Sequence, residues 1–230
     1  MPADAEGCRL AMEALEDAYR AVFAAARAGM RAEEVDACLR ARLAAHGAEL
    51  PPSGSSPFVV AAGGAPPKLR VNRAPLSRGS LWGMDNTVRR AGYCADLGRY
   101  GYCGQLPDEL ARAHRQVLDR QDAIAAAIRP GRRMRETYDS LPHDLPFEFH
   151  RIATEGNMLP TGGNATVGVR KAMEQSDREG LAFEPGMVIC VEIWAGLSGG
   201  IEDMYLVESA GVRRMSTLPR PIRVVLQESA

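Results

Sequence analysis

The chain has 230 residues, with 28 Lys and Arg against 29 Asp and Glu, and 46% of its residues are hydrophobic. That length can bury a sizeable core, and the balanced charge gives no electrostatic reason for a nucleic-acid or acidic partner. No apolar run reaches the ~20 residues of a membrane helix, and MPADAEGCRL lacks a secretory pattern. Five cysteines without a C-x-x-C pair fit reduced thiols. The expectation is a cytoplasmic protein.

In chain order, Leu10, Leu15, Ala18, Val22 and Ala25 recur at helical spacing and predict a helix over about 4–28. A second helix is expected from about Arg31 to His46, ended by Gly47. PPSGSS reads as a loop, 57–62 as a short buried strand and GGAPPK as another loop. A hairpin follows over about 80–102. The second half then repeats the order. A helix over about 107–128 is broken by RPGRR, and a short helix covers about 134–140. After PHDLPFEFHRI come an irregular stretch over 153–185, a hairpin around Leu197 and a last strand over about 222–227. Two helices and a hairpin, twice over, form a weak internal repeat. It predicts an α+β architecture, with an antiparallel or mixed sheet, helices on one side and pseudo-twofold halves 1–104 and 105–230 of a single domain.

Each predicted hairpin carries two acids. Asp85 and Asp96 lie on the first, and Glu192 and Glu202 on the second. Residues equidistant from a hairpin turn face each other on one side of the sheet. By this count each pair sits side by side, with midpoints at Arg90–Ala91 and at Leu197. Two like charges at ~4 Å and an effective dielectric near 20 cost about 4 kcal/mol. The simplest neutralising partner for two such pairs is one or two divalent cations. Cys94, Cys103 and Cys190 stand in apolar strand contexts and read as small core residues. His46 and His114 read as exposed helix residues, and His150 as a hydrogen-bonded structural histidine. TGG and GGN near 161–164 lack the ending of a phosphate loop.

These residues resemble the metallopeptidase clan of methionine aminopeptidase, Xaa-Pro aminopeptidase, prolidase and creatinase. GYCADLGR, with Asp96 and Arg99, is similar to the clan's GY-x-x-D-x-x-R, and Asp85 stands where the clan has its first Asp. FEPGMVICVE matches its L-x-PGM-x-x-x-(I/V)E and ends at Glu192. IEDMYLV matches its IED-x-x-x-V and contains Glu202. Gly29–Val35 and Pro130–Gly131 are similar to its two PG helix starts. The resemblance covers nearly the whole chain and implies the pita-bread fold without the amino-terminal domain of creatinase and Xaa-Pro aminopeptidase. It also implies a dinuclear metal site. Asp85 would bind one ion, Asp96 and Glu202 would bridge, and Glu192 would bind the other ion and move protons.

The departures from the clan pattern bear on chemistry. The clan's ligand histidine in GHG-x-G has no counterpart in RIATEGNMLPTGGNATVGVRK, where Asn164 or Glu155 takes its place. Two further clan histidines fall at Lys68 and Lys171, and the Pro-Gly after the first Glu is Ile193-Trp194. An all-oxygen set suits Mn²⁺, Fe²⁺, Co²⁺ or Mg²⁺ ahead of Zn²⁺. Lys68 and Lys171 are candidates for holding a substrate carboxylate, beside the blander reading of solvated surface charges. Trp194 reads as a pocket floor or as core, and Arg99 as a partner of one of the acids near substrate. The resulting expectation is an altered metallohydrolase acting on an amide, amidine or carbonyl of a small carboxylate-bearing molecule. Creatinase shows that the clan is not confined to peptides. The alternative is a metal-free pseudo-peptidase, its acids neutralised by Lys68, Lys171 or Arg99. It would serve as a binding protein or as an acid–base catalyst using Glu192 or Glu155 with Lys171. Sequence leaves monomer and homodimer both open.

Overall fold

The structure, a computed structural model, describes residues 3–50, 58–60, 75–145, 147–152 and 182–225. Helix α1 (Ala3–Ala25) buries Ala11, Leu15, Ala18 and Val22 along one stripe, and α2 (Ala32–Ala45) buries Val35, Leu39 and Leu43. Both stripes follow the helical repeat. The Arg31 backbone N–H donates to Glu34 at the start of α2, and Gly47 (φ 64°) follows its end. Two short strands, β1 (Ala48–Glu49) and β2 (Phe58–Val60), precede the first hairpin, β3 (Leu81–Arg90) and β4 (Tyr93–Cys103).

The second half brings α3 (Asp108–Ala127), α4 (Met134–Asp139) and β5 (Phe147–Ile152). Then come β6 (Val188–Ile193), β7 (Ile201–Glu208), β8 (Gly211–Arg214) and β9 (Arg223–Val225). The FEFHRI run, given no element from sequence, forms β5 against β6. The described strands make one sheet in the order β1-β3-β4-β7-β6-β5, with β2 on β3, β8 on β7 and β9 on β4. All pairings are antiparallel except β9 on β4. The two hairpins therefore meet at a central seam between β4 and β7. Among the described residues the seam has one paired position, Gly98 with Glu202. Within the hairpins the pairing runs unbroken from Leu81–Tyr102 to Arg90–Tyr93 and from Val188–Leu206 to Ile193–Ile201.

Helices cover one face. The Tyr19 hydroxyl of α1 lies 2.9 Å from Asn86 Oδ1 and 2.6 Å from Leu97 O. Val117 and Ile124 of α3 pack with Ile189, Val191 and Tyr205, and Gln121 donates to Val191 O. Asn86, Leu97, Val191 and Tyr205 all alternate onto the same side of the sheet, which leaves the other side for the acids. No helix among the described residues is long and apolar enough to cross a membrane.

His114, expected to be exposed, is buried. Its Nδ1 lies 3.0 Å from Ser198 O and its Nε2 3.2 Å from Arg220 O, so it links α3 to the loop before β7 and to the carboxy-terminal segment. Burial holds its pKa below the usual 6.5 despite these carbonyls. A depressed histidine pKa means that the unfolded chain binds the proton more readily. The contribution is complete above the ordinary value and is lost as pH falls from there through the folded value. The melting temperature of the wild type should therefore fall more between pH 7 and about pH 5 than that of His114→Asn. Parallel pH profiles would show that His114 carries no such linkage.

Candidate metal centre

The turn of the first hairpin sets the register of the site. Ala91 (φ 50°) and Gly92 (φ 82°) form a two-residue turn with both backbones in the left-handed region, and Arg90 pairs with Tyr93. Such turns match the twist of the flanking strands. The resulting register puts Asp85 opposite Gly98 and Asp96 opposite Thr87. Asp85 and Asp96 thus share a face but are diagonal neighbours, not the directly opposed pair that the sequence midpoint predicts. In the second hairpin Glu192 does face Glu202 directly, as expected.

These registers build a row across the sheet. Asp85 faces Gly98, Gly98 faces Glu202, Glu202 faces Glu192, and Glu192 faces Glu148 of β5. One step along the strands, Thr87 faces Asp96, and Cys190 stands between Met204 and His150. Gly98 lets the two hairpins approach closely in this row. A Cβ there would lie 3.1 Å from both Cβ and N of Glu202. A residue with a side chain would crowd the space between Asp85 and Glu202.

Two sets of potential ligand atoms converge on this face. Asp85, Glu192 and Glu202 form one triad, and Asp96, Cys190 and Glu202 the other, with atoms in each set within 4.8 Å of one another. Glu202 belongs to both. Asp85 and Glu192, which the resemblance assigns to different ions, fall in the same triad. Asp96, expected to bridge, falls in one. Asp96, Glu192 and Glu202 are buried and Asp85 is half-buried. Asp96 is fixed by Thr87 Oγ1, which donates to Oδ2 at 2.7 Å, and by the Leu97 N–H, which donates to Oδ1 at 3.0 Å. The Trp194 indole N–H donates to Glu192 Oε1, which ties this tryptophan to the site rather than to the core alone. Burial, with the charges of Asp96, Glu192 and Asp85, pushes the Glu202 carboxyl well above its usual range. Tyr100, two residues beyond Gly98 on the same face, is also raised, by burial first and then by Asp85 and Glu192.

Arg99 departs from the expected role. It alternates onto the helix-covered face and is buried there. Its guanidinium donates to Asp203, Ser216 and Leu218 O, and to the carbonyls of Gly98, Glu202 and Pro219. It therefore supports the site from behind, where it also lines a pocket with Arg20, Phe23 and Pro219. Its acidic partner is Asp203, not one of the four candidate ligands. Cys190 is part of the apolar core, as expected, and its thiol also joins a ligand set, which sequence reasoning did not foresee. It lies two positions before Glu192 on the same strand, and this period-two spacing already placed it on the ligand face. Lys68, Glu155, Asn164 and Lys171 lie outside the described residues.

Buried carboxylates thus gather on the face of a pseudo-twofold α+β sheet that turns away from α1 and α3. Residues 6–209 match metallopeptidase family M24, and the chain belongs to that family. Its fold is the pita-bread α+β fold, with similar solved structures. X-Pro aminopeptidase from Thermotoga maritima MSB8 is 23% identical with a TM-score of 0.70, over 96% of this chain and 62% of that one. Dipeptidase PepE from Mycobacterium ulcerans is 19% identical at 0.71, over 99% and 61%. Prolidase from Pyrococcus furiosus is 20% identical at 0.70, over 96% and 65%. The chain thus spans less than two thirds of the length of each of these proteins. No curated protein sequence matches it significantly.

The family implies a divalent metal, and the residues present fit one. Two carboxylate-rich triads share a ligand, and the carboxylate at the sharing position resists ionisation without a counter-charge.

Proposed function

We propose that this chain is a metal-dependent hydrolase of family M24 with altered specificity. Its substrate is a small carboxylate-bearing molecule with an amide, amidine or carbonyl at the reacting centre, used in specialised metabolism rather than general peptide trimming. The observation that carries this reading is the convergence of Asp85, Asp96, Glu192 and Glu202 on one sheet face. A bound divalent ion supplies Lewis-acid polarisation and activation of water there. Glu192, oriented by the Trp194 indole, accepts the proton of the attacking water and returns it to the leaving group. Thr87 and the Leu97 N–H hold Asp96 aimed at the centre. Lys68 and Lys171, placed by the family resemblance where relatives carry histidines, hold the substrate carboxylate, and Asn164 or Glu155 fills the position of the absent histidine ligand.

Elemental analysis of the full chain purified without chelator tests this reading, with melting scans against Mn²⁺, Fe²⁺, Co²⁺, Mg²⁺ and Zn²⁺. The expected result is one or two equivalents of a divalent transition ion and a melting temperature that rises with added ion. Metal-free protein that no ion stabilises would overturn it and turn the search to metal-free acid–base chemistry or a binding partner.

A further inference from the structure

The two triads differ in chemistry as well as in place. The first offers three carboxylates, from Asp85, Glu192 and Glu202. The second replaces one carboxylate with the thiol of Cys190. Cys190 is fully buried, and the strand alternation that aims Glu192 at the cleft aims Cys190 to the same side. It faces Met204, whose sulfur lies 3.1 Å from the backbone nitrogen of Asp96. Two sulfur-bearing side chains, Cys190 and Met204, therefore adjoin the Asp96 half of the site. Resting on the metal-centre reading above, we infer that Cys190 is a thiolate ligand of the Asp96–Glu202 position, making it a site for a borderline transition ion.

Three observations support this. A Cys Sγ and two carboxylate oxygens within 4.8 Å of one another can meet a common ion at ordinary bond lengths of ~2.0–2.3 Å. The missing side chain at Gly98 lets β4 pack directly against Glu202, the residue common to both triads. A mixed oxygen–sulfur set prefers Fe²⁺, Co²⁺ or Zn²⁺ over Mg²⁺ and Mn²⁺, whereas an all-carboxylate set favours the harder ions. Loading exchanges the S–H bond of Cys190 for a sulfur–metal bond, and the proton leaves to solvent. The preference for hard ions expected from the carboxylates alone then holds for the Asp85 triad only.

Cobalt spectroscopy separates this inference from the reading beneath it. Co²⁺ is titrated into the full-length chain freed of metal, and visible and near-ultraviolet absorption are recorded. The expected result is the visible ligand-field bands of bound Co²⁺ together with a near-ultraviolet sulfur-to-cobalt charge-transfer band. Cys190→Ser and Cys190→Ala, checked for folding by circular dichroism, should both lose the charge-transfer band and keep visible bands from the remaining carboxylates. Cobalt bound with no charge-transfer band in the wild type would overturn the role of Cys190 and leave the metal centre standing. So would a charge-transfer band that survives in either folded variant. No cobalt bound at all would overturn both.

Discussion

Arg99→Ala should destabilise the protein by about 3–5 kcal/mol, the range for removing one partner of a buried ion pair. Arg99 and Asp203 are both almost wholly buried and joined by a direct bond. The substitution leaves the Asp203 carboxylate in the interior with only longer-range cations, Arg214 Nη1 at 3.9 Å and Arg220, among the described residues. It also strips donors from the carbonyls of Gly98, Glu202, Leu218 and Pro219. An unmet buried acceptor costs about 1–3 kcal/mol. Urea unfolding at neutral pH measures the loss. The double variant Arg99→Met with Asp203→Leu should recover much of it, because an apolar pair of similar volume removes the orphaned charge. A single variant as stable as wild type would mean that the pair contributes nothing.

Glu202→Gln should have the opposite character: it removes metal-induced stabilisation while leaving the metal-free protein at least as stable as wild type. The Glu202 carboxyl is raised in the folded state, so the metal-free fold binds its proton more tightly than the unfolded chain does. That stability is complete below the ordinary value of 4.5 and is lost as pH rises through the raised value. At neutral pH the carboxylate is therefore a burden until a cation arrives, and glutamine removes the burden. An ion at a hundred times its Kd adds about 2.7 kcal/mol to the wild type. The variant loses the ligand common to both triads and should gain little. Melting scans with and without Mn²⁺ decide the matter, and an unchanged metal-dependent gain in the variant would place Glu202 outside the centre.

Much of this architecture is legible from sequence because it depends on local periodicities. The helical stripe of Leu15, Ala18 and Val22 and the alternation around Glu192 are properties of short segments, and the repeated order of elements gives the two-halved sheet. The family motifs named Asp85, Asp96, Glu192 and Glu202, and the structure brings all four to one face. What escaped was set by register and burial. The diagonal offset of Asp85 from Asp96 depends on the positive φ of Ala91 and Gly92 in the turn, which a midpoint count ignores. Arg99 has the side chain of a substrate-binding residue, but its strand parity sends it behind the sheet to Asp203. Cys190 is core, as its apolar context implied, but in the cluster opposite that of its neighbours Ile189 and Val191, and only strand parity shows that this side also carries Asp96 and Glu202. His114 carries no sequence mark of burial, since the carbonyls that enclose it come from Ser198 and Arg220, far along the chain.

The thin seam between β4 and β7 gives a metal centre here a mechanical consequence. Its one paired position, Gly98 with Glu202, joins two hairpins that are each laced along their whole length. Asp85 and Asp96 come from one hairpin, and Cys190, Glu192 and Glu202 from the other. An ion held by either triad is therefore a clasp across the line between the two hairpins, and it links the opening of one half to that of the other. In amide hydrogen exchange the clasp should show as slower exchange on both sides of the seam at once, so that two neighbouring units of the fold open as one.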